Sequence, residues 1–275
     1  MKYIGFPRPS YPLAARLEPV ILGSSVYSSK KELQVSRENI CDKEHDCSTF
    51  NTNSKSSIMT EAKQFNFPDG TEILFNKSNP NYKFNAFIKT GVDKFFLFSD
   101  SYKIGAQKLF EYLDGNYVYN NTLVYPIVFL CRHFIELRLK ELISGINYTY
   151  SEEYSFPNGH SLAKLWNEYK TVLTLVEESA MPDLQVLKNV ERLIVEFDTM
   201  DPTSMCFRYP VDKSSSPSLQ IESIDLASFK QSMERIFDFL DSQSEVVFYL
   251  IDMAEEYFTG LRRSYYDELM SGYYN

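Results

Sequence analysis

The chain has 275 residues, of which 44% are apolar and 24% charged, with 20 Tyr and 21 Phe against a single Trp and a formal net charge of −9. This composition excludes global disorder and supplies ample aromatic material for a core. The acidic balance repels a phosphate backbone at long range, which excludes broad DNA coating, and no stretch reaches the roughly 18 apolar residues of a membrane span.

Residues 1–90 read as an irregular extension laid over a helical body. Pro7, Pro9, Pro12 and Pro19 punctuate its start, and Met1–Pro7 lacks the apolar run of a signal peptide. The four cysteines, Cys41, Cys47, Cys131 and Cys206, are scattered and read as reduced thiols. The expected location is therefore cytoplasmic. Cys41, His45 and Cys47 are three zinc-capable side chains within one charged run, but structural zinc wants four, so the run reads as an exposed loop and no metal is assigned. Phe67-Pro68-Asp69-Gly70 is a turn signal. It is followed by two short apolar runs, Glu72–Phe75 and Tyr82–Phe87, that suit a small β-hairpin.

From Gly91 the period changes to three and four. Phe95, Phe98, Tyr102, Ala106, Leu109 and Leu113 make one amphipathic helix, ended by Gly115. A second runs from Val118 to Ser144, with Pro126 marking either a kink or the true first turn. Gly145 to Gly159 reads as a loop, and Ser161 as the N-cap of a third helix reaching about Ala180. Leu184 to Met200 is a fourth, stopped by Asp201-Pro202. A loop insert follows near 201–224, and the last helix runs from Leu226 to Phe258 with a break near Ser242–Ser244. The cation- and tyrosine-rich tail after it is expected to dock on the bundle. The fold class is thus mainly α: residues 91–275 form a bundle of four to five helices.

The second helix carries the one chemically suggestive constellation. At 100° per residue, Arg132, His133, Glu136 and Lys140 share one arc, while Arg138 points the other way. One reading makes Arg132–Glu136 and Glu136–Lys140 ion pairs on a solvated face. The other turns the arc into a cleft. His133 is then the general base, Glu136 orients it, and Arg132 or Lys140 holds a phosphate. His160, before the third helix, and Arg208 and Tyr209, in a loop, are further candidates for contacting substrate or phosphate. Arg208 has a structural alternative as a clamp on Glu196, Asp198 or Asp201. There is no phosphate-binding glycine loop and no cofactor motif.

Three stretches carry a family resemblance: Arg132–Lys140, Gly159–Trp166 and Cys206–Lys213. The first two resemble an "EL-x-LK" helix and a "GH-x-L-x-x-L" helix start of the HEPN superfamily. The third resembles the "FRYP" segment of bacterial HEPN-like proteins. The resemblance covers roughly Gly91 to Phe258. It implies a helical bundle, often dimeric, and for many members metal-independent cleavage of RNA in toxin–antitoxin or phage-defence systems. Other members are non-catalytic modules that hold a nucleotide, a partner protein or a dimer mate. The superfamily's ribonuclease signature, Arg followed after four to six residues by His, is missing here. Arg37 and His45 come nearest, one residue too far apart, and no histidine follows His160. The expectation is a HEPN-like ribonuclease with an active site assembled differently, or else a binding module.

Overall fold

The computed structural model describes residues 67–68, 70–75, 79–91, 94–176 and 181–273. The chain divides into two units, one of residues 20–87 and one holding residues 88–275. The Cys41/His45/Cys47 run and the Ser48–Ser57 loop lie outside the described residues.

Among the described residues of the first unit the expected hairpin does not form. Leu74 and Phe75 are in a turn, and Tyr82–Phe84 is a single 3-10 turn. Asparagine side chains take up the backbone groups that a strand ladder would need. Asn81 Oδ1 accepts from Lys83 N, Asn79 Oδ1 from Asn81 N, and Asn85 exchanges hydrogen bonds with both the N–H and the carbonyl of Asn79.

The second unit is built from five helices: α1 (Phe95–Leu113), α2 (Asn120–Ser151), α3 (Leu162–Leu173), α4 (Leu184–Met200) and α5 (Leu226–Tyr273). Helix α2 packs against α1, α5 and α3, and α3 packs against α4. A central helix with neighbours on several sides must be apolar nearly all round. Accordingly Ile127, Cys131, Phe134, Ile135, Leu139, Leu142 and Ile143 of α2 have no exposed surface. Each of the larger ones contributes on the order of 1.5–3 kcal/mol by leaving water. Around them sit Trp166 and Tyr169 of α3, Ile194 of α4, and Met233, Phe237 and Leu240 of α5. No helix among the described residues is long and apolar enough to cross a membrane.

Several boundaries differ from the sequence expectation. Pro126 lies inside α2, preceded by Asn120–Tyr125, so it is not in the first turn. Gly145 does not end α2, which continues to Ser151. A Cβ on Gly145 would lie 2.4 Å from Val247 Cγ1, so this glycine lets α5 approach α2 rather than stopping the helix. The helix ends instead at Glu152, which adopts a left-handed φ of 57°. Helix α3 stops at Leu173, short of the Ala180 expected, and residues 177–180 lie outside the described residues.

Helix α5 shows no break at Ser242–Ser244. There Gln243 accepts from the Tyr169 hydroxyl at 2.9 Å, and Ser244 joins Glu141 and Arg138, so these polar residues connect helices. Beyond Phe258 the same helix continues to Tyr273. Tyr265, Tyr266, Leu269 and Met270 are exposed on it, so this tail extends the helix rather than folding its tyrosines down.

Arg138 points away from the Arg132 arc, as the helical wheel requires. It donates to Glu141 at 2.7 Å and to Asp241 at 2.9 Å, and lies over the rings of Phe96 and Phe134. Lys103 of α1 reaches the same Asp241 at 2.8 Å. This network ties α1, α2 and α5 together on the side opposite the arc. Desolvation pushes the Glu141 carboxyl above its ordinary range, against the pull of Arg138 and Ser244.

Candidate functional site

The i,i+4 pairs expected along α2 both form. Arg132 Nη1 lies 3.2 Å from Glu136 Oε2, and Lys140 Nζ lies 3.0 Å from Glu136 Oε1. The face that carries them is not solvated. Arg132 and Glu136 are essentially inaccessible and Lys140 is buried, because the loops before α3 and after α4 close over them. A buried charge persists only when it is paired and hydrogen-bonded. Here the pairing comes from outside α2.

Arg132 is the joint. Its Nε donates to the carbonyl of Asp201 at 3.0 Å and lies 3.4 Å from that residue's carboxylate. Its Nη2 donates to the carbonyl of His160 at 2.7 Å. One guanidinium on α2 thereby holds both the α2–α3 loop and the α4–α5 loop. Asp201 also accepts from the backbone N–H groups of Met205 and Cys206, which shapes the segment leading to Arg208 and Tyr209.

The local sequence explains the α3 end of this joint. Gly159 takes φ +102°, which turns the chain into the helix. Ser161 caps α3 by accepting from Lys164 N, as expected from the sequence. Asp198 of α4 completes that end, accepting from Leu162 N at 2.6 Å and from the Ser161 hydroxyl at 3.1 Å. A carboxylate at a helix N-terminus is favoured by the exposed N–H groups and the helix dipole.

Between these fixed points His160 turns its ring onto α2. Its Nδ1 lies 2.8 Å from Glu136 Oε1, yet two-thirds of the side chain (66%) is exposed. Glu136 orients this imidazole and not that of His133. With Nδ1 on the carboxylate, Nε2 has no hydrogen-bond partner among the described residues. Hydrogen bonds from His160 and Lys140 favour the Glu136 carboxylate, and its pKa lies below the usual range despite the opposing cost of burial.

His133 stands beside this pair in an aromatic slot. Tyr102 meets its ring edge-on at 4.4 Å, and Phe129 stacks on it at 5.7 Å. Burial lowers its pKa. Glu136 opposes that shift, while Arg132, Lys140 and His160 add to it. The two imidazoles are thus close enough to feel each other's charge.

Arg208 pairs with none of the three carboxylates proposed for it. Asp201 is taken by Arg132, Asp198 by the α3 terminus, and Glu196 by Arg192. Instead the exposed guanidinium lies 5.5 Å over the Phe129 ring and 5.6 Å from the Tyr209 ring, with the Met205 sulfur as its one hydrogen-bond acceptor among the described residues.

The structure therefore brings Arg132, His133, Glu136, Lys140 and His160 together, with Arg208 over Phe129, one helical turn before His133 on α2, and Tyr209 beside Arg208. It withdraws Arg132 and Lys140 from any phosphate, because both are buried and committed to Glu136 and the loops. Reasoning from sequence missed Asp201 as the partner of Arg132 and Phe129 as the ring beneath Arg208. The i,i+4 spacing of Phe129 and His133 signals their own contact on α2, but nothing local signals Arg208 over that ring.

Among the described residues no group of three or more His, Cys, Asp or Glu side chains has the geometry of a metal site. A cavity of about 40 Å³ lies elsewhere, lined by Phe95, Glu141, Ser144, Val247 and Ile251. It has room for a few waters at most and is too small for a substrate.

Comparison with known proteins adds no relative: no family model, curated protein or solved structure matches the chain.

Proposed function

We propose that this is a HEPN-like helical protein that cleaves RNA without a metal, using the two imidazoles beside Glu136. The supporting observation is the Glu136–His160 pair: a buried carboxylate aligns a largely exposed imidazole through Nδ1, and Nε2 has no hydrogen-bond partner among the described residues. That is the arrangement a general base needs. His160 Nε2 takes the proton of a ribose 2′-hydroxyl, and the 2′-oxygen bonds to phosphorus. The bond from phosphorus to the 5′-oxygen then breaks, and His133, in the minor protonated fraction that its lowered pKa allows, supplies a proton to the leaving oxygen. The products are a 2′,3′-cyclic phosphate and a 5′-hydroxyl. The base role expected for His133 passes to His160 because Glu136 contacts the latter. The resemblance of the three motif stretches suggests a cytoplasmic toxin–antitoxin or phage-defence setting.

The test is cleavage of end-labelled tRNA and total RNA by purified protein in excess EDTA. His160→Ala is expected to lower the rate on the order of 10²–10⁴-fold, the usual worth of a positioned acid or base. A variant that cleaves at the wild-type rate would remove His160 from the mechanism.

A second reading has its own support. Arg132, Glu136, Lys140 and Asp201 satisfy one another in the interior, which is also what a purely structural network does. On that reading the chain is a non-catalytic module that holds a nucleotide, a partner protein or a second copy of itself. Wild-type protein that cleaves no RNA and migrates as a stable oligomer would favour it.

A further inference from the structure

The neighbourhood of Arg208 has features that acid–base chemistry at the imidazoles does not require. Arg208 is exposed, keeps its charge unpaired by any carboxylate among the described residues, and is backed by two aromatic rings. Packing against rings removes conformational freedom from a long side chain without using its N–H donors. Those donors remain for an external planar or tetrahedral anion. Tyr209, beside it, is 48% exposed. The Phe129 ring beneath Arg208 is itself stacked on His133 at an interplanar angle of 12°. Phe129 thus touches both the Arg208 guanidinium and the His133 imidazole. Along α2, Phe129 and Glu136 are seven residues apart, which separates their backbones by roughly 10 Å along the helix axis.

We propose that Arg208 and Tyr209 form a nucleotide subsite: Arg208 binds a phosphate adjoining the one that faces His160, and Tyr209 stacks on the base attached to it. This deepens the reading of the site as an RNA-cleaving one and rests on it. The subsite selects an unpaired strand, because a base can reach the Tyr209 ring only when it has left a helical stack. It also accounts for binding by a chain of net charge −9. A single exposed cation with a stacking ring holds one strand locally without needing a broad basic face.

The experiment separates binding from cleavage. A fluorescein-labelled unpaired RNA 12-mer carrying a 2′-O-methyl group at every position, hence uncleavable by this chemistry, is titrated with full-length protein. The same oligomer annealed to its complement is the competitor form. Fluorescence anisotropy is recorded over a salt series for wild type, Arg208→Ala, Arg208→Lys, Tyr209→Ala and the surface control Arg192→Ala. Folding of each variant is checked by circular dichroism.

The wild type should bind the unpaired oligomer at least about ten-fold more tightly than the duplex. Tyr209→Ala should weaken binding by about ten-fold. Arg208→Ala should weaken it comparably and reduce the salt slope by about one phosphate contact. Arg208→Lys should restore the salt slope but not the full affinity, because lysine cannot stack and fork in the same way. Arg192→Ala should change nothing.

Equal binding of single strand and duplex, or unchanged affinity in both Arg208→Ala and Tyr209→Ala, would overturn the subsite even if RNA cleavage by the wild type is intact. Selective single-strand binding lost in these variants, in a protein that cleaves no RNA, would uphold the subsite while the cleavage reading fails.

Discussion

Glu136 and His160 meet at 2.8 Å across a sequence separation of 24 residues, one side chain buried in the middle of α2 and the other largely in solvent. A buried carboxylate that reaches an exposed imidazole transmits the rigidity of the core to a loop. Arg132 reinforces this by holding the carbonyl of the same His160. The ring and the backbone of one loop residue are therefore fixed by two side chains a single helical turn apart on α2.

Arg132 is a positioning residue in this scheme, and its loss should be costly. Arg132→Met leaves Glu136 and Asp201 buried without their cation, so the unfolding free energy should fall by about 3–5 kcal/mol. Denaturant unfolding followed by circular dichroism measures it. A loss below about 1 kcal/mol would mean that the arc is wetter than the structure has it.

The depressed pKa of His133 predicts a pH dependence with a definite sign. Its folded value lies below the ordinary imidazole value near 6.5, chiefly through burial, so the unfolded chain binds more protons in the interval between the two. Stability that is fully present above about pH 6.5 should decline as pH falls through that interval. His133→Gln should flatten this part of the profile. The check is the difference between the two stability curves from pH 7.5 to 5, which cancels groups common to both proteins. If cleavage uses protonated His133 as the acid, its rate should also fall as pH rises past His133's depressed value.

Gly145 and Gly105 should respond oppositely to alanine. At Gly145 the added Cβ collides with Val247 and approaches Ile251 to 3.3 Å, so overpacking of about 1–3 kcal/mol outweighs the gain in helix propensity. At Gly105 the nearest atom is Leu130 Cδ1 at 3.5 Å, an ordinary contact, and alanine should stabilise by up to about 1 kcal/mol. Thermal melts of both variants, with Gly145→Ala/Val247→Ala as the relief pair, decide this. A melting point of Gly145→Ala at or above wild type would contradict the close α2–α5 approach.

Cys131 should be chemically silent in the native state. It is wholly buried in α2, and desolvation pushes its thiol pKa strongly upward, so the reactive thiolate is not populated. Iodoacetamide labelling followed by peptide mass spectrometry should modify Cys131 only after denaturant is added. Native labelling within the time that exposed thiols react would place α2 nearer the surface.

Much of the helical framework was legible in the sequence because it rests on local periodicity. Tyr102, Ala106 and Leu109 of α1, Leu187, Val190, Ile194 and Phe197 of α4, the Ser161 cap and the opposite orientation of Arg138 all follow from a 3.6-residue repeat and cap chemistry, whereas Phe98, Leu184 and Met200 of the expected stripes are exposed. The boundaries that failed were those where a residue's local meaning was replaced by a contact distant in sequence. Gly145 reads as a stop until Val247 is seen against it, and Ser242–Ser244 read as a break until they bond to Glu141 and Tyr169.

The candidate site divides in the same way. A helical wheel suffices to put Arg132, His133, Glu136 and Lys140 on one arc, because their relative angles are a property of α2 alone. It cannot tell whether that arc meets water or protein, nor which histidine Glu136 will hold, since both imidazoles are compatible with the spacing. The packing of the α2–α3 and α4–α5 loops decided those points. By burying Arg132 and Glu136 they made outside partners necessary, and the partners within reach were the Asp201 carboxylate and carbonyl, the His160 carbonyl and the His160 ring.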